Sequence, residues 1–232
     1  MDKRLVIIFH GIGEMHRWAG QDERGYWCSE NQFHSILDAV PHVSAQTRTP
    51  IEITFDDGNS SDIRIAAPAL QKRGLKASFF VCAGRVGKPG YLDATQLRSL
   101  AQGGMTIGSH GWDHVDWRGL RDHAVLNREV FQARDFIADL VSAGPITSVA
   151  IPFGSYDRRV RRVVTQAFSE VHTSDGGLAP RTGHTVPREC YTNQWGTDTL
   201  GTLASPRPLI STLRRMLAVA YKGRRGPPRT IG

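Results

Sequence analysis

Short apolar runs alternate with segments of helical periodicity along the chain. Residues 5–10 (LVIIFH), 51–55 (IEITF), 76–83 (KASFFVCA), 105–110 (MTIGSH) and 146–153 (ITSVAIPF) are rich in β-branched and aromatic side chains. Such runs suit strands buried on both faces. Weaker strand patterns cover 170–174 and 184–189. Between them, residues 63–74 form a helical pattern that stops on Gly74, and 93–104 opens on an Asp93 cap and stops on paired glycines. The pattern over 123–144 carries Leu126, Val130, Phe131, Ile137, Leu140 and Val141 near i, i+3, i+4 spacing, which gives one apolar face. Segments 158–168 and 210–221 complete the helical set, with Asp157 placed to cap the first of them. Residues 11–50 show little regular pattern and read as a long excursion over one rim.

This βαβα order predicts an α/β fold with a parallel sheet covered by helices, in one domain. Periodicity leaves a barrel and a doubly wound sheet both open. The domain is expected over residues 1–220. A flexible basic tail is expected over 221–232, where Lys222, Arg224, Arg225 and Arg229 sit among glycines and prolines.

Composition narrows the function classes. The chain has 232 residues, and 40% of them are hydrophobic, enough for a packed core. No run reaches the roughly 20 apolar residues of a membrane span. The N-terminal apolar run is short and reads as a first strand rather than an export signal. A cytoplasmic location follows as an expectation, extending to the inner membrane face. Cys28, Cys82 and Cys190 are odd in number and widely spaced, so neither a disulfide framework nor a zinc knuckle is expected. The net charge of +7 suits solubility, an anionic glycan or a lipid surface, with peripheral membrane contact through the basic tail. Scattered basic residues without a recognition helix or RNA-binding aromatics argue against nucleic acid.

In parallel α/β folds, functional groups gather where strands end. Strand one ends in His10, strand two in Asp56 and Asp57, strand four in His110 and His114, and strand five in IPFGSYD. Two adjacent carboxylates at a strand end call for a cation. His110 and His114 are four apart, a spacing that puts both imidazoles on one side of a helical turn. Two His with one Asp suit zinc or a related divalent transition metal and leave coordination positions open, as a catalytic site needs. One carboxylate is expected on the metal and the other beside it as a base. Trp112 and Trp117 flank the histidines, and their faces offer stacking surfaces for sugar rings or simply core packing.

TFDDG, SHGWDH and PFGSYD together resemble the polysaccharide deacetylases, the NodB-homology domain of carbohydrate esterase family four. FHGI, ENQFHSILDAV, APALQKRGLKASFFV and QLRSLAQGGMTIGSH extend the likeness over roughly residues 4–190. The resemblance implies a deformed (β/α) barrel of about seven parallel strands. It implies hydrolysis of an N-acyl group, usually acetyl, from an amino sugar. Asp56 would be the general base, and Asp57, His110 and His114 the metal ligands. The Phe153 N–H would serve as oxyanion donor. Trp112, Tyr156 and His10 are expected to contact substrate.

Two departures from the family pattern stand out. Ala150 occupies the position where many members carry an Arg that orients the base, and Arg188 is the expected substitute. The late Leu-His motif is absent, since no His follows His184. His172, His184 and His10 are the candidates for the missing general acid. The expected substrate is an acylated amino-sugar glycan, anionic or lipid-linked, in surface polysaccharide assembly. The alternatives are a non-sugar amide, or a non-catalytic carbohydrate-binding protein on the same fold.

Overall fold

The computed structural model describes residues 3–196, 198–206 and 208–226. The apolar runs form strands: β1 (Lys3–Phe9), β2 (Ile51–Asp57), β3 (Ala77–Val81), β4 (Thr106–Ser109), β5 (Ser148–Ala150) and β6 (Glu170–Thr173). They lie side by side in that order, all parallel. The segment predicted over 184–189 splits at Arg188 into β8 (Thr185–Pro187) and β9 (Glu189–Cys190). β8 pairs with β6 and β9 with β1, both parallel. One extended segment therefore bridges the two ends of the sheet and nearly closes it into a barrel. Counted as one stave, it gives the seven parallel strands of a deformed (β/α) barrel. The short β7 (Ala179–Pro180) adds an antiparallel pairing to β1.

Side-chain alternation decides what faces inward. Phe9, Phe55, Phe79 and Val81 point out and join the main apolar core under the helices. Their neighbours Thr54, Asp56, Phe80 and His172 point into the barrel and are buried there. The interior thus holds a polar column beneath the strand ends. The outward aromatic row is stacked, with Phe55 and Phe79 centroids 4.7 Å apart.

The helices run as predicted for α2 (Ala67–Lys72), α3 (Ala94–Gln102), α4 (His123–Asn127), α5 (Ala133–Val141) and α6 (Arg158–Ala167). A π-turn over Arg128–Gln132 joins α4 to α5, and another over Asp62–Ala66 leads into α2. Asp157 caps α6, its carboxylate accepting from the Val160 N–H at 2.9 Å.

The region read as patternless holds the longest helix, α1 (Glu30–Thr47). A capping box between Ser29 and Gln32 starts it, and Phe33, Leu37 and Val40 form its buried face. Pro41 lies inside α1, and such a residue ordinarily argues against a continuous helix. A short α7 (Thr199–Ala204) packs against α1. The final helix, α8 (Leu209–Arg224), runs past the expected domain boundary at 220. Residues 221–224 are helical rather than tail, because Lys222 bonds Asp175 at 2.6 Å and Arg225 bonds the Tyr156 carbonyl. Residues 227–232 of the expected tail lie outside the described residues.

Candidate active site

Successive strand residues point to opposite faces, so Asp56 and Asp57 should diverge. They do not, because Asp57 adopts φ 79° and Gly58 φ 73°, turning the chain at the end of β2. Both carboxylates then reach one cavity of about 420 Å³ at the carboxyl ends of the strands. His10, Glu23, Tyr26, His110, His114, Phe153, Ser174, Arg188 and Cys190 also line it. His114 and Phe153 share Asp57's left-handed backbone, each with φ 56°. Such conformations cost on the order of 1–3 kcal/mol each and concentrate where geometry is functionally constrained.

Asp57, His110 and His114 converge as a potential ligand set. One ligand atom from each lies within 4.8 Å of the others. The nearest Asp57 oxygen is 3.3 Å from His114 Nε2 and 3.8 Å from His110 Nε2. His110 Nδ1 lies 2.8 Å from the Ala150 carbonyl. A carbonyl can only accept, so Nδ1 carries the hydrogen and the Nε2 lone pair faces Asp57. Burial lowers both imidazole pKa values, that of His114 to about 4, so both are neutral donors near pH 7. Burial also works against ionisation of Asp57, but the surrounding imidazoles and Arg85 hold its pKa below the usual value. Neither Asp57 oxygen has a hydrogen-bond partner, although both are buried. Arg85 approaches to 3.0 Å without hydrogen-bond alignment. A buried carboxylate facing two imidazole nitrogens is a donor set that fits a divalent cation. The spacing acts through a loop rather than a helical turn, since residues 110–114 are non-helical and Gly111 turns at φ 83°.

Asp56 is held differently. Arg188 grips it with two hydrogen bonds of 2.8 Å, one to each oxygen. The same guanidinium donates to Thr54 Oγ1 at 3.0 Å and lies over the Phe80 ring. Burial alone would raise the Asp56 pKa, but Arg188 and the nearby imidazoles hold it far below the carboxylate range. Arg188 therefore sits where the sequence expected a substitute for the residue missing at Ala150.

His10 lines the cavity at the end of β1. Burial tends to depress its pKa, yet the Cys190 thiol 4.0 Å away and the two carboxylates raise it to about 9. Phe153 projects over His114, with ring centroids 4.5 Å apart, and is 59% exposed.

Three expected site residues lie elsewhere. His172 points into the barrel beneath the cavity, against Phe80 at 4.7 Å and Glu170 at 3.4 Å. It lines no part of the cavity and is corrected from catalytic to interior packing. Trp112 turns outward onto Phe136 of α5, with Arg128 over its face, so it offers no ring to the site. Tyr156 is buried and donates to Asp175 at 2.6 Å, beneath α8. His184, one of the acid candidates, precedes β8 and is absent from the cavity wall. Trp117 is core: it is fully buried, with its indole N–H on Glu129 at 3.1 Å.

The sequence reading missed Arg85, Glu23, Tyr26, Ser174 and Cys190. Arg85 had a signal, because it is the first charge after the apolar run 76–83. Glu23 and Tyr26 come from the excursion before α1, and no strand pattern points to them.

Residues 44–171 match the family model described as polysaccharide deacetylase. The Bacillus subtilis (strain 168) protein YxkH is 26% identical over 189 residues, covering 77% of this chain and 67% of YxkH. Peptidoglycan-N-acetylglucosamine deacetylase PgdA of Listeria monocytogenes is 32% identical over 124 residues, covering 52% of this chain. That match spans 25% of PgdA's length. Among solved structures, IcaB from Ammonifex degensii superimposes with a TM-score of 0.73 at 22% identity, over 89% of this chain and 98% of that one. The Streptococcus pyogenes deacetylase PplD, in complex with acetate, gives 0.71 at 18% identity, over 88% and 99%. These likenesses establish the same barrel. Taken with the matched family model and the carboxylate–imidazole cluster at the strand ends, they lead to one conclusion: the chain belongs to the polysaccharide deacetylase family.

Proposed function

We propose that the protein is a metal-dependent deacetylase that hydrolyses an N-acetyl group on an amino sugar within a glycan. The observation that carries this reading is the division of labour between adjacent carboxylates. Asp57 is buried, without a hydrogen-bond partner and faces two imidazole nitrogens, whereas Asp56, its nearer oxygen 4.0 Å from His110 Nε2, is held through both oxygens by Arg188. Binding alone needs no second carboxylate held in this way, which favours an enzyme over a carbohydrate-binding relative.

A divalent cation held by Asp57, His110 and His114, most simply zinc, would supply Lewis acidity to the acyl oxygen and to water, which a base as weak as Arg188-paired Asp56 needs. Asp56 is anionic throughout the neutral range and accepts the proton of the attacking water. Arg188 fixes the carboxylate plane by bonding both oxygens. The Phe153 N–H, presented by its left-handed turn at the rim, donates to the oxygen that gains charge in the tetrahedral intermediate. His10 is the acid of this site. It lines the cavity, and its pKa of about 9 keeps a proton available for the departing amine.

The likeness to PgdA, a peptidoglycan-N-acetylglucosamine deacetylase, supports N-acetylglucosamine-containing glycans as the substrate class. A lipid-linked glycan intermediate is the finer form of the same proposal, supported by the basic surface of the chain. The test is release of acetate from N-acetylglucosamine oligomers by zinc-loaded protein, with Asp56→Asn as control. Acetate release that falls by about 10²–10⁴-fold in the variant supports the reading. Equal turnover by both proteins overturns the role of Asp56. Turnover of simple non-sugar amides in place of the oligomers overturns the substrate class.

A further inference from the structure

The last helix inverts the usual arrangement of a surface helix. Ile210, Leu213, Met216, Leu217 and Tyr221 of α8 are 57–70% exposed. At 100° per residue, Ile210, Leu213, Leu217 and Tyr221 fall within one narrow stripe, with the exposed Arg214 at its edge and the exposed Arg224 in line with it at the end of the helix. The inner face rests on the barrel through smaller and polar groups. Gly223 is buried, Lys222 bonds Asp175, and Arg215 donates to the Gly176 carbonyl. Four large apolar side chains in a row on solvent are unusual for a soluble monomer and mark a contact surface.

Charge identifies the occupant. Residues 199–232 carry seven Lys and Arg and no Asp or Glu. The remaining Lys and Arg equal the 22 Asp and Glu of the chain, so this segment accounts for the whole net charge of +7. α6 packs beside α8 and exposes Arg158, Arg161 and Arg162 on the same flank of the molecule. A second copy is a poor occupant, because a two-fold contact through α8 would bring its arginines against their own kind with no carboxylate to meet them. An apolar stripe edged by arginines fits the boundary between acyl chains and anionic headgroups.

We infer that α8 is an in-plane anchor that seats the protein on an anionic lipid bilayer. The apolar stripe enters the acyl boundary, and Arg214, Arg224 and the α6 arginines meet the headgroups. The anchor is tied to the catalytic rim. Ser174 lines the cavity, and the next residue, Asp175, holds Lys222. Gly154 lines the cavity as well, and Tyr156, two residues on, packs under Lys222 and holds Arg225 through its carbonyl. Membrane seating would therefore bring the cavity near lipid headgroups. The inference does not depend on the deacetylase reading.

The experiment is sedimentation of the full chain with vesicles of phosphatidylcholine, alone or with about a third phosphatidylglycerol. Wild type is expected to bind the anionic vesicles, to lose binding as salt rises, and to ignore the neutral ones. Leu213→Glu/Leu217→Glu is expected to weaken binding by at least about tenfold. Its circular dichroism and its acetate release from soluble oligomers should match wild type. Arg214→Ala/Arg224→Ala serves as a second variant that leaves the stripe intact, and it should weaken binding to anionic vesicles selectively. Absence of wild-type binding to anionic vesicles overturns the inference, as does undiminished binding by both variants. A wild-type dimer that the glutamate pair dissociates, without vesicle binding, assigns the face to a second copy and likewise overturns it. Loss of acetate release in wild type with vesicle binding intact would touch only the deacetylase proposal.

Discussion

Arg188 and Asp56 form an ion pair inside the barrel. Both are buried, and two hydrogen bonds of 2.8 Å join them. Removing one partner from such a pair leaves the other as an uncompensated buried charge. Arg188→Ala is therefore expected to destabilise the fold by about 3–5 kcal/mol, measurable by urea unfolding. Asp62 presents the opposite case. Its carboxyl is buried without a hydrogen-bond partner, and burial, reinforced by Asp57 and Asp56, raises its pKa well above the ordinary value. The folded protein keeps this proton after the unfolded chain has released it near pH 4. Stability contributed by the protonated form is thus complete below that pH and declines as pH rises toward the raised pKa. Asp62→Asn removes the penalty. Unfolding at pH 8 should show the variant more stable by about 1–2 kcal/mol, with the difference vanishing near pH 4. His10 supplies a third residue-scale prediction. A donor must hold its proton, so kcat/KM should fall as pH passes about 9. His10→Asn should lower kcat by about 10²-fold or more and remove that alkaline limb.

At the scale of elements, β4 shows how strand packing reaches the chemistry. A Cβ on Gly108 would lie 2.4 Å from the Phe80 ring, and Phe80 supports Arg188 on one side and His172 on another. Gly108→Ala should cost about 1–3 kcal/mol by overpacking and displace Arg188. The expected readout is a lower thermal midpoint together with reduced kcat. Thermal unfolding and steady-state kinetics on one preparation would check both. Most strands and helices were legible because their burial left unbroken apolar runs or clean helical spacing. α1 was not, since Pro41 interrupts its pattern and its burial rests on only a few positions, Phe33, Leu37 and Val40. The clustering of Asp57, His110 and His114 was legible because they lie at or just beyond the ends of β2 and β4. Trp112 and Tyr156 were misplaced because adjacency to a motif fixes the stretch of chain but not the direction of a side chain, and His172 was named only as a histidine available for the missing acid. Backbone turns such as φ 79° at Asp57 decide that direction, and no periodicity encodes them.

Across the whole molecule, the segment over β8 and β9 unites fold and site. By pairing with both β6 and β1 it nearly closes the barrel, and at its break it delivers Arg188 inward to Asp56. The last strand therefore completes both the hydrogen-bonded wall and the fixation of the proposed base. The seven-stranded barrel in turn brings Asp57, at the end of β2, to His110 and His114, on the loop after β4, across a gap of more than 50 residues in the chain. The direct measurement is zinc titration of metal-stripped protein by calorimetry, for wild type, Asp56→Asn and His114→Ala. Wild type and Asp56→Asn are predicted to take up one zinc each with similar affinity, while His114→Ala binds at least about 10²-fold more weakly. Equal binding by wild type and His114→Ala, or loss of zinc on changing Asp56 alone, would contradict the account.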